Sequence, residues 1–410
     1  MAKKKRFSAP LTVFLCVLGL LIGIVIGALG AAIYDARSFK SDETPPALVT
    51  GEFQVHFPEL GNKYTGDCTY IKVGDTDILI DAGSRASSVP VIAEYINQYV
   101  TDGKLEYVIV THAHQDHYAG FAISDGSIFD LYECEVIIDF ALTNQEDKGS
   151  SNMYGRYLDE RDAEIAAGAT HYTAAECIAS DNAVFTLDNG ATMTVLDSYY
   201  YYNEAPSEND YSVCTLFTYG DQSYLFTGDL EKEGEEHLVS MNDLPEVTLY
   251  KAGHHGSKTS SSEALLEAIK PQYVCVCCCC GSEEYTDTDA NQFPTQAFID
   301  RIAPYTDKVY VTTMCVDYKA GTFTSMNGNI VVVSDKTGVS VSCSNDSRVL
   351  KEWEWFAQHR TCPDAWKQEK TRGCLKCQGI WPTSPYGFCL AAKHRHFHPF
   401  RQEGIIRTRF

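Results

Sequence analysis

Basic side chains are scarce in this 410-residue chain, with 33 Lys and Arg against 55 Asp and Glu and a formal net charge of −22. The scarcity is local: residues 41–345 carry −33, residues 1–40 carry +5 and residues 346–410 carry +6. A body of that charge repels polyphosphate at long range, which argues against tight, non-specific nucleic-acid binding through its general surface. Any phosphate it handles must be attracted locally, and a metal ion would serve. Short-period internal repeats are also missing, which argues against a repeat architecture. Apolar matter is plentiful. Hydrophobic residues make up 44% and aromatics 12%, enough for a sizeable core and too much for a disordered or fibrous chain.

Charge vanishes between Leu11 and Ile33, a run of 23 residues with Thr12 as its clearly polar member. As a helix that run would be roughly 34 Å long, which spans a bilayer core of about 30 Å. It exceeds the apolar stretch of an ordinary cleaved signal peptide, so residues 1–40 read as a basic cytoplasmic end and a transmembrane signal anchor. Lys3, Lys4, Lys5 and Arg6 precede it, which places the N-terminus in the cytoplasm and the acidic body outside the cell membrane. Of the sixteen cysteines, fifteen follow the apolar run, and outside the cell they would normally suggest disulfides. However, Cys275 and Cys277 to Cys280 lie in an apolar run that reads as a buried strand, where neighbours point to opposite faces. They read as small core hydrophobes rather than a disulfide framework.

Residues 41–50 form a polar linker. Strands are expected over 53–57, 68–73, 77–81 and 107–111, with a helix over 89–100. Residues 141–179 read as a polar, partly helical insertion over the surface. A second pass then offers strands over 193–196, 213–219, 223–227, 247–250 and 273–280, with helices over 231–239 and 261–269. Strands over 328–334 and 338–344 finish the pattern. Strands precede helices in both halves, which implies an α/β protein with sheets covered by helices.

Chemistry concentrates at strand ends. Thr111-His112-Ala113-His114-Gln115-Asp116-His117 puts three imidazoles and a carboxylate within six residues. Alternation gives His112 and His114 one face while Asp116 and His117 turn into the loop, so one segment can address two ions. Asp229 follows the 223–227 strand through Gly228, where its two oxygens could bridge the ions; alone it would read as a helix N-cap. His254 and His255 follow the strand that ends at Tyr250.

Ile78 to Ser84, the His-x-His-x-Asp-His segment, Thr227-Gly228-Asp229 and His254-His255-Gly256-Ser257 together resemble the ordered motifs of the metallo-β-lactamase superfamily. Val55-His56-Phe57, Gly66-Asp67 and Lys258-Thr259-Ser260-Ser261 narrow the resemblance to the hydrolase domain of the competence DNA-uptake protein ComEC and its relatives. The resemblance implies an αββα four-layer sandwich over residues 51–345 with a binuclear site at one edge, holding two divalent metal ions, zinc or manganese. His112 and His114 would bind the first ion, Asp116, His117 and one of His254 or His255, with His255 preferred, the second, and Asp229 would bridge. Asp81 would accept from a ligand histidine and fix its orientation. The superfamily often adds a further histidine to the first ion, whereas residues 207–212 here read Ser-Glu-Asn-Asp-Tyr-Ser. His171 is the only histidine between the His-x-His-x-Asp-His segment and Asp229, and it reads as an ordinary strand position.

Two cations sharing a hydroxide would lower the pKa of water and neutralise charge developing on a phosphoryl oxygen. Asp116 could orient the hydroxide and His254 could donate a proton to the leaving group. The expected function is a metal-dependent phosphodiesterase acting on a phosphodiester or other small hydrolysable substrate, with DNA disfavoured by the acidic surface. A phosphorylcholine-type esterase is the alternative, with residues 199–202, Glu204 and Glu208 as an aromatic and acidic cage; a non-catalytic binding module is another. Residues 346–410 read as a poorly ordered basic tail, in which Cys362, Cys374, Cys377 and Cys389 are spaced unconvincingly for zinc.

Overall fold

Two mixed sheets of eight strands each stack face to face in the computed structural model, which describes residues 48–367 apart from Asp181 and residues 336–337. The first sheet comprises β1 (Phe53–Phe57), β2 (Thr69–Val73), β3 (Thr76–Ile80), β4 (Lys104–Val110), β5 (Glu133–Asp139), β6 (Thr170–Thr173), β15 (Ile330–Asp335) and β16 (Gly338–Cys343). Its order is β16-β15-β1-β2-β3-β4-β5-β6. The second comprises β7 (Val184–Thr186), β8 (Thr192–Val195), β9 (Thr215–Tyr219), β10 (Gln222–Phe226), β11 (Leu249–Lys251), β12 (Tyr273–Cys280), β13 (Val309–Asp317) and β14 (Thr322–Ser325). Its order is β14-β13-β12-β11-β10-β9-β8-β7.

The sheets meet through aromatic side chains that alternate inward along their strands. Phe53 stacks on Tyr224 at 4.5 Å and on Tyr219 at 5.8 Å between ring centres, and meets Phe217 edge-on at 6.4 Å. Emptying such a position, as in Phe53→Ala, costs about 3–5 kcal/mol. Helices cover the outer faces. Val89–Ile96 begins with a proline in its first turn, where the missing N–H is no loss, and buries Ile92 and Ile96 against the first sheet. Lys232–Met241, Glu263–Ile269 and Gln296–Ile302 cover the second through Leu238, Leu265, Leu266, Phe298 and Ile302. This is the expected four-layer α/β sandwich.

Alternation along β12 places Cys275 and Cys277 in the core between the sheets, and Cys278 and Cys280 under the helices of the second. All cysteines among the described residues are free thiols.

Three expectations need correction. Residues 141–179 are not wholly an insertion, because β6 lies within them and pairs in parallel with β5 at the sheet edge. The body does not end at 345: Leu350, Trp355, Phe356 and Trp366 are buried in the apolar layer over the second sheet. Helix 89–100 stops at Ile96. The membrane segment and the cysteines of the tail beyond 367 lie outside the described residues. Among the described residues no helix is long and apolar enough to cross a membrane.

What positions the site is the parallel part of each sheet. β3, β4, β5 and β6 run parallel, as do β10, β11, β12 and β13. Their C-terminal ends bring Asp81, His112, Asp229, His254 and the loop after Cys280 to one edge, where open α/β sheets place ligands.

Candidate metal centre

Tight backbone turns at these strand ends aim the side chains. Asp81 has a positive φ of 59°, and its N–H donates to Ile109 O at 2.9 Å. His254 and His255 also lie in the left-handed region, at φ 46° and 55°, a strained conformation that marks functional turns. Gly228 at φ +53° lets the chain pass beside Ser212; a Cβ there would lie 2.7 Å from Ser212 Oγ.

One oxygen or nitrogen from each of Asp116, His117, Asp229 and His255 lies within 4.8 Å of the others. Asp229 Oδ2 is 3.1 Å from His117 Nε2 and 3.3 Å from His255 Nε2, and Asp116 Oδ2 is 3.3 Å from the same His255 nitrogen. Asp229 does not cap the following helix, whose N-cap is Glu231. His112 and His114 stand beside this group with Nε2 and Nδ1 3.1 Å apart. From the stretch that lacks the further histidine, Ser212 reaches His112 Nδ1 at 3.3 Å and accepts from Asp229 N at 3.0 Å. His254 is set back, its Nε2 4.0 Å from Asp229 and its Nδ1 3.2 Å from Thr259 Oγ1. His171 stays away in β6, 2.9 Å from Asp139 Oδ1.

The histidine rings are fixed from behind. Asp81 Oδ2 lies 2.7 Å from His117 Nδ1, and its carboxylate also accepts from Thr111 N and Oγ1, both at 2.8 Å. Cys277 O lies 2.8 Å from His255 Nδ1. With Nδ1 held as the donor in each ring, Nε2 is the nitrogen turned to the cluster, and its lone pair is free to bind a cation once the ring has given up its second proton. Beneath lies a pair without an assigned role in the sequence: Asp67 makes a buried ion pair with Lys251, and its Oδ1 is 3.2 Å from His255 Nδ1. The signal for it was a lone lysine at the end of an apolar strand.

Burial alone would raise the Asp229 carboxyl, but His117, His255 and His254 outweigh it and hold it well below the ordinary range. Asp116 is lowered in the same way, burial being outweighed by His255 and His117. Burial opposes protonation of His117 and His255, yet Asp229 and its neighbouring aspartates raise both well above an ordinary imidazole. His112 goes the other way, pushed down by burial and then by His117. The carboxylates therefore call for positive charge, which imidazole protons or a divalent cation can supply, and cation binding releases the protons. The donors fit a cation on one further count. His117 Nε2, His255 Nε2 and Asp229 Oδ1 are buried without a hydrogen bond of good geometry, although such atoms are ordinarily satisfied.

A cleft of about 390 Å³ opens over the cluster, lined by Arg85, His114, Gln115, Asp116, Asp229, His254, Glu284 and Tyr285. It contains no serine, threonine or cysteine to act as a nucleophile. Residues 199–202 form no cage. Tyr200 and Tyr201 are buried, Tyr199 stacks on His237 at 4.4 Å, and Glu208 accepts from Ala113 N, Thr143 Oγ1 and Asn144 N.

Residues 61–280 match the family model described as the metallo-beta-lactamase superfamily. The chain is similar to ComE operon protein 3 of Bacillus subtilis (strain 168), 26% identical over 174 residues that cover 41% of this chain and 19% of that protein. It is also similar to competence protein ComA of Neisseria gonorrhoeae, 36% identical over 98 residues that cover 23% of this chain and 13% of the relative. The chain thus spans less than a fifth of the length of these relatives. Among solved structures, the metallo-beta-lactamase fold protein YhfI from Bacillus subtilis superposes with a TM-score of 0.35 at 14% identity, covering 67% of this chain and 99% of that one.

Proposed function

The chain belongs to the metallo-beta-lactamase superfamily and is a metal-dependent hydrolase of it, and from that premise we propose that it is a phosphodiesterase for small or short substrates. The observation that carries the reading is the cluster of Asp116, His117, Asp229 and His255 beneath a cleft lined by no serine, threonine or cysteine. Direct attack by water is the hydrolytic route this reading takes. Bound divalent ions would supply the Lewis acidity that activates water and neutralises charge on a phosphoryl oxygen. Asp116, His117, Asp229 and His255 would hold one ion, and His112 and His114, with Asp229 shared, a second. Asp116 reaches the cleft surface and is placed to orient the attacking water. His254 lines the same cleft, with its Nδ1 steadied by Thr259, and is placed to exchange a proton with the leaving group.

The acidic body favours a small diester over duplex DNA. From the uncharged run Leu11 to Ile33 and the four basic residues before it, we further infer that residues 1–40 anchor the chain with its catalytic body outside the cell. Protease added to intact cells should digest beyond residue 40 and spare the basic end; full protection of the body would reverse that topology.

The test is a screen of bis(p-nitrophenyl) phosphate, p-nitrophenyl phosphate, nitrocefin and duplex DNA, with manganese or zinc, across ionic strength. Diester turnover should dominate and vanish with EDTA. Dominant lactam or monoester cleavage would refute the reading, and duplex cleavage that collapses with salt would move it to a DNA-processing enzyme.

A further inference from the structure

Tyr285 lies in the loop after β12, and nothing in the motifs assigns it a role. The residue is 56% exposed, so it contributes little to the core. The hydroxyl nevertheless turns inward and donates to Asp116 Oδ2 at 2.7 Å, on the wall of the cleft. That oxygen is the one 3.3 Å from His255 Nε2.

The loop does not depend on this bond for its shape. Glu284, the preceding residue, accepts from Thr65 N at 2.7 Å and from Arg85 Nη2 at 3.0 Å. Gly281 N donates to Phe293 O at 2.8 Å, and Thr295 N to Gly256 O at 2.9 Å, which closes the loop at its base. The Tyr285 ring rests 5.7 Å from Phe293, whose ring is itself 5.7 Å from His255. A pinned loop thus presents a phenol within hydrogen-bond reach of a metal-site carboxylate, facing open space. Arg85 lies on the same cleft wall, its guanidinium 4.0 Å from the Tyr64 ring centre.

We propose that Tyr285 is a specificity-determining residue that contacts substrate, its hydroxyl turning from Asp116 to donate to a non-bridging oxygen of a singly charged phosphodiester, with Arg85 as the nearby positive charge. The inference rests on the phosphodiesterase reading. It adds an O–H donor that tracks the phosphoryl oxygen as its charge grows, and such donors count most where charge develops.

The test compares Tyr285→Phe with the wild type and with Tyr202→Phe, an exposed tyrosine bonded to Asp197 outside the cleft. On bis(p-nitrophenyl) phosphate, Tyr285→Phe should lose about 10- to 100-fold in kcat/KM, as expected for a hydrogen bond to a charged group. Its manganese affinity, titrated into the metal-free protein, should stay within about threefold of the wild type, whereas a merely structural role would lower it. Tyr202→Phe should match the wild type in both. Loss of kcat/KM below threefold, or a parallel loss of metal affinity, would overturn the assignment. If the wild type hydrolyses no diester, the phosphodiesterase reading fails. Titration of inorganic phosphate into the manganese-loaded proteins still decides Tyr285: tenfold weaker binding in Tyr285→Phe supports the contact, and equal binding overturns it.

Discussion

Asp81→Asn should uncouple the metal centre from the fold. The carboxylate accepts from Thr111 N and Oγ1 at 2.8 Å and from His117 Nδ1 at 2.7 Å. An asparagine amide can keep its oxygen on Thr111 N only by turning its NH2 group toward Thr111 Oγ1 and His117 Nδ1. The threonine hydroxyl can rotate to accept. His117 can accept only by moving its own proton to Nε2, the nitrogen 3.1 Å from Asp229 that a cation would need. Losing such a backing carboxylate typically weakens metal binding 10- to 100-fold, or about 1.4–2.7 kcal/mol. The metal-free fold should suffer less. Burial raises the Asp81 carboxyl above its ordinary value, so the neutral amide recovers part of the desolvation cost. The assay is competition with a chromogenic chelator, run beside thermal melts in EDTA. Metal affinity within threefold of the wild type would refute the reasoning. So would a metal-free variant already unfolded at 25 °C, because the effect would then be global.

Glu235 is buried beneath the loop after the histidines and accepts from Ser261 N at 2.7 Å and Ser262 N at 2.6 Å. Burial pushes its carboxyl up to about 7. A folded value above the unfolded one means that the native state binds the extra proton, so stability falls as pH rises from about 4.5 to 7 and then levels. Glu235→Gln should flatten that slope in EDTA melts, and an unchanged slope would remove Glu235 as its source. Lys251→Met leaves Asp67 buried without its cation and should cost about 3–5 kcal/mol by denaturant unfolding, with Asp67→Asn in the same chain restoring most of it. An additive double variant would show that the pair is not coupled. On mild chelation the ion at His112 and His114 should leave first, because Ser212 stands there rather than a third imidazole. Simultaneous loss of both ions would contradict that order.

The site was legible because its residues sit at the ends of apolar strands, and strand alternation with short loops fixes where such residues gather. Asp229 shows the limit of local reading. Its position before a helix alone suggests a cap and its place between two histidine clusters suggests a bridge, and only the stacked sheets give the distances, 3.1 Å to His117 Nε2 and 3.3 Å to His255 Nε2. β6 shows in the sequence only as a strand position at His171 within the expected insertion, because Thr-His-Tyr-Thr at a sheet edge carries little apolar signal. The boundary at 345 was set by a change in charge, whereas burial of Trp355 and Trp366 decides where the fold ends. Tyr285 and the Asp67–Lys251 pair depend on contacts between residues far apart in sequence, which no local period encodes.

The central claim is that Asp229 joins the metal centre to its chemistry. Metal content by plasma mass spectrometry, measured with diester turnover on the wild type and Asp229→Ala, tests it most directly. The wild type should hold about two ions per chain, and Asp229→Ala should lose bound metal and turnover together, because one bridging carboxylate serves both ions. Asp229→Ala that keeps two ions per chain, or turnover that survives without them, would contradict the claim.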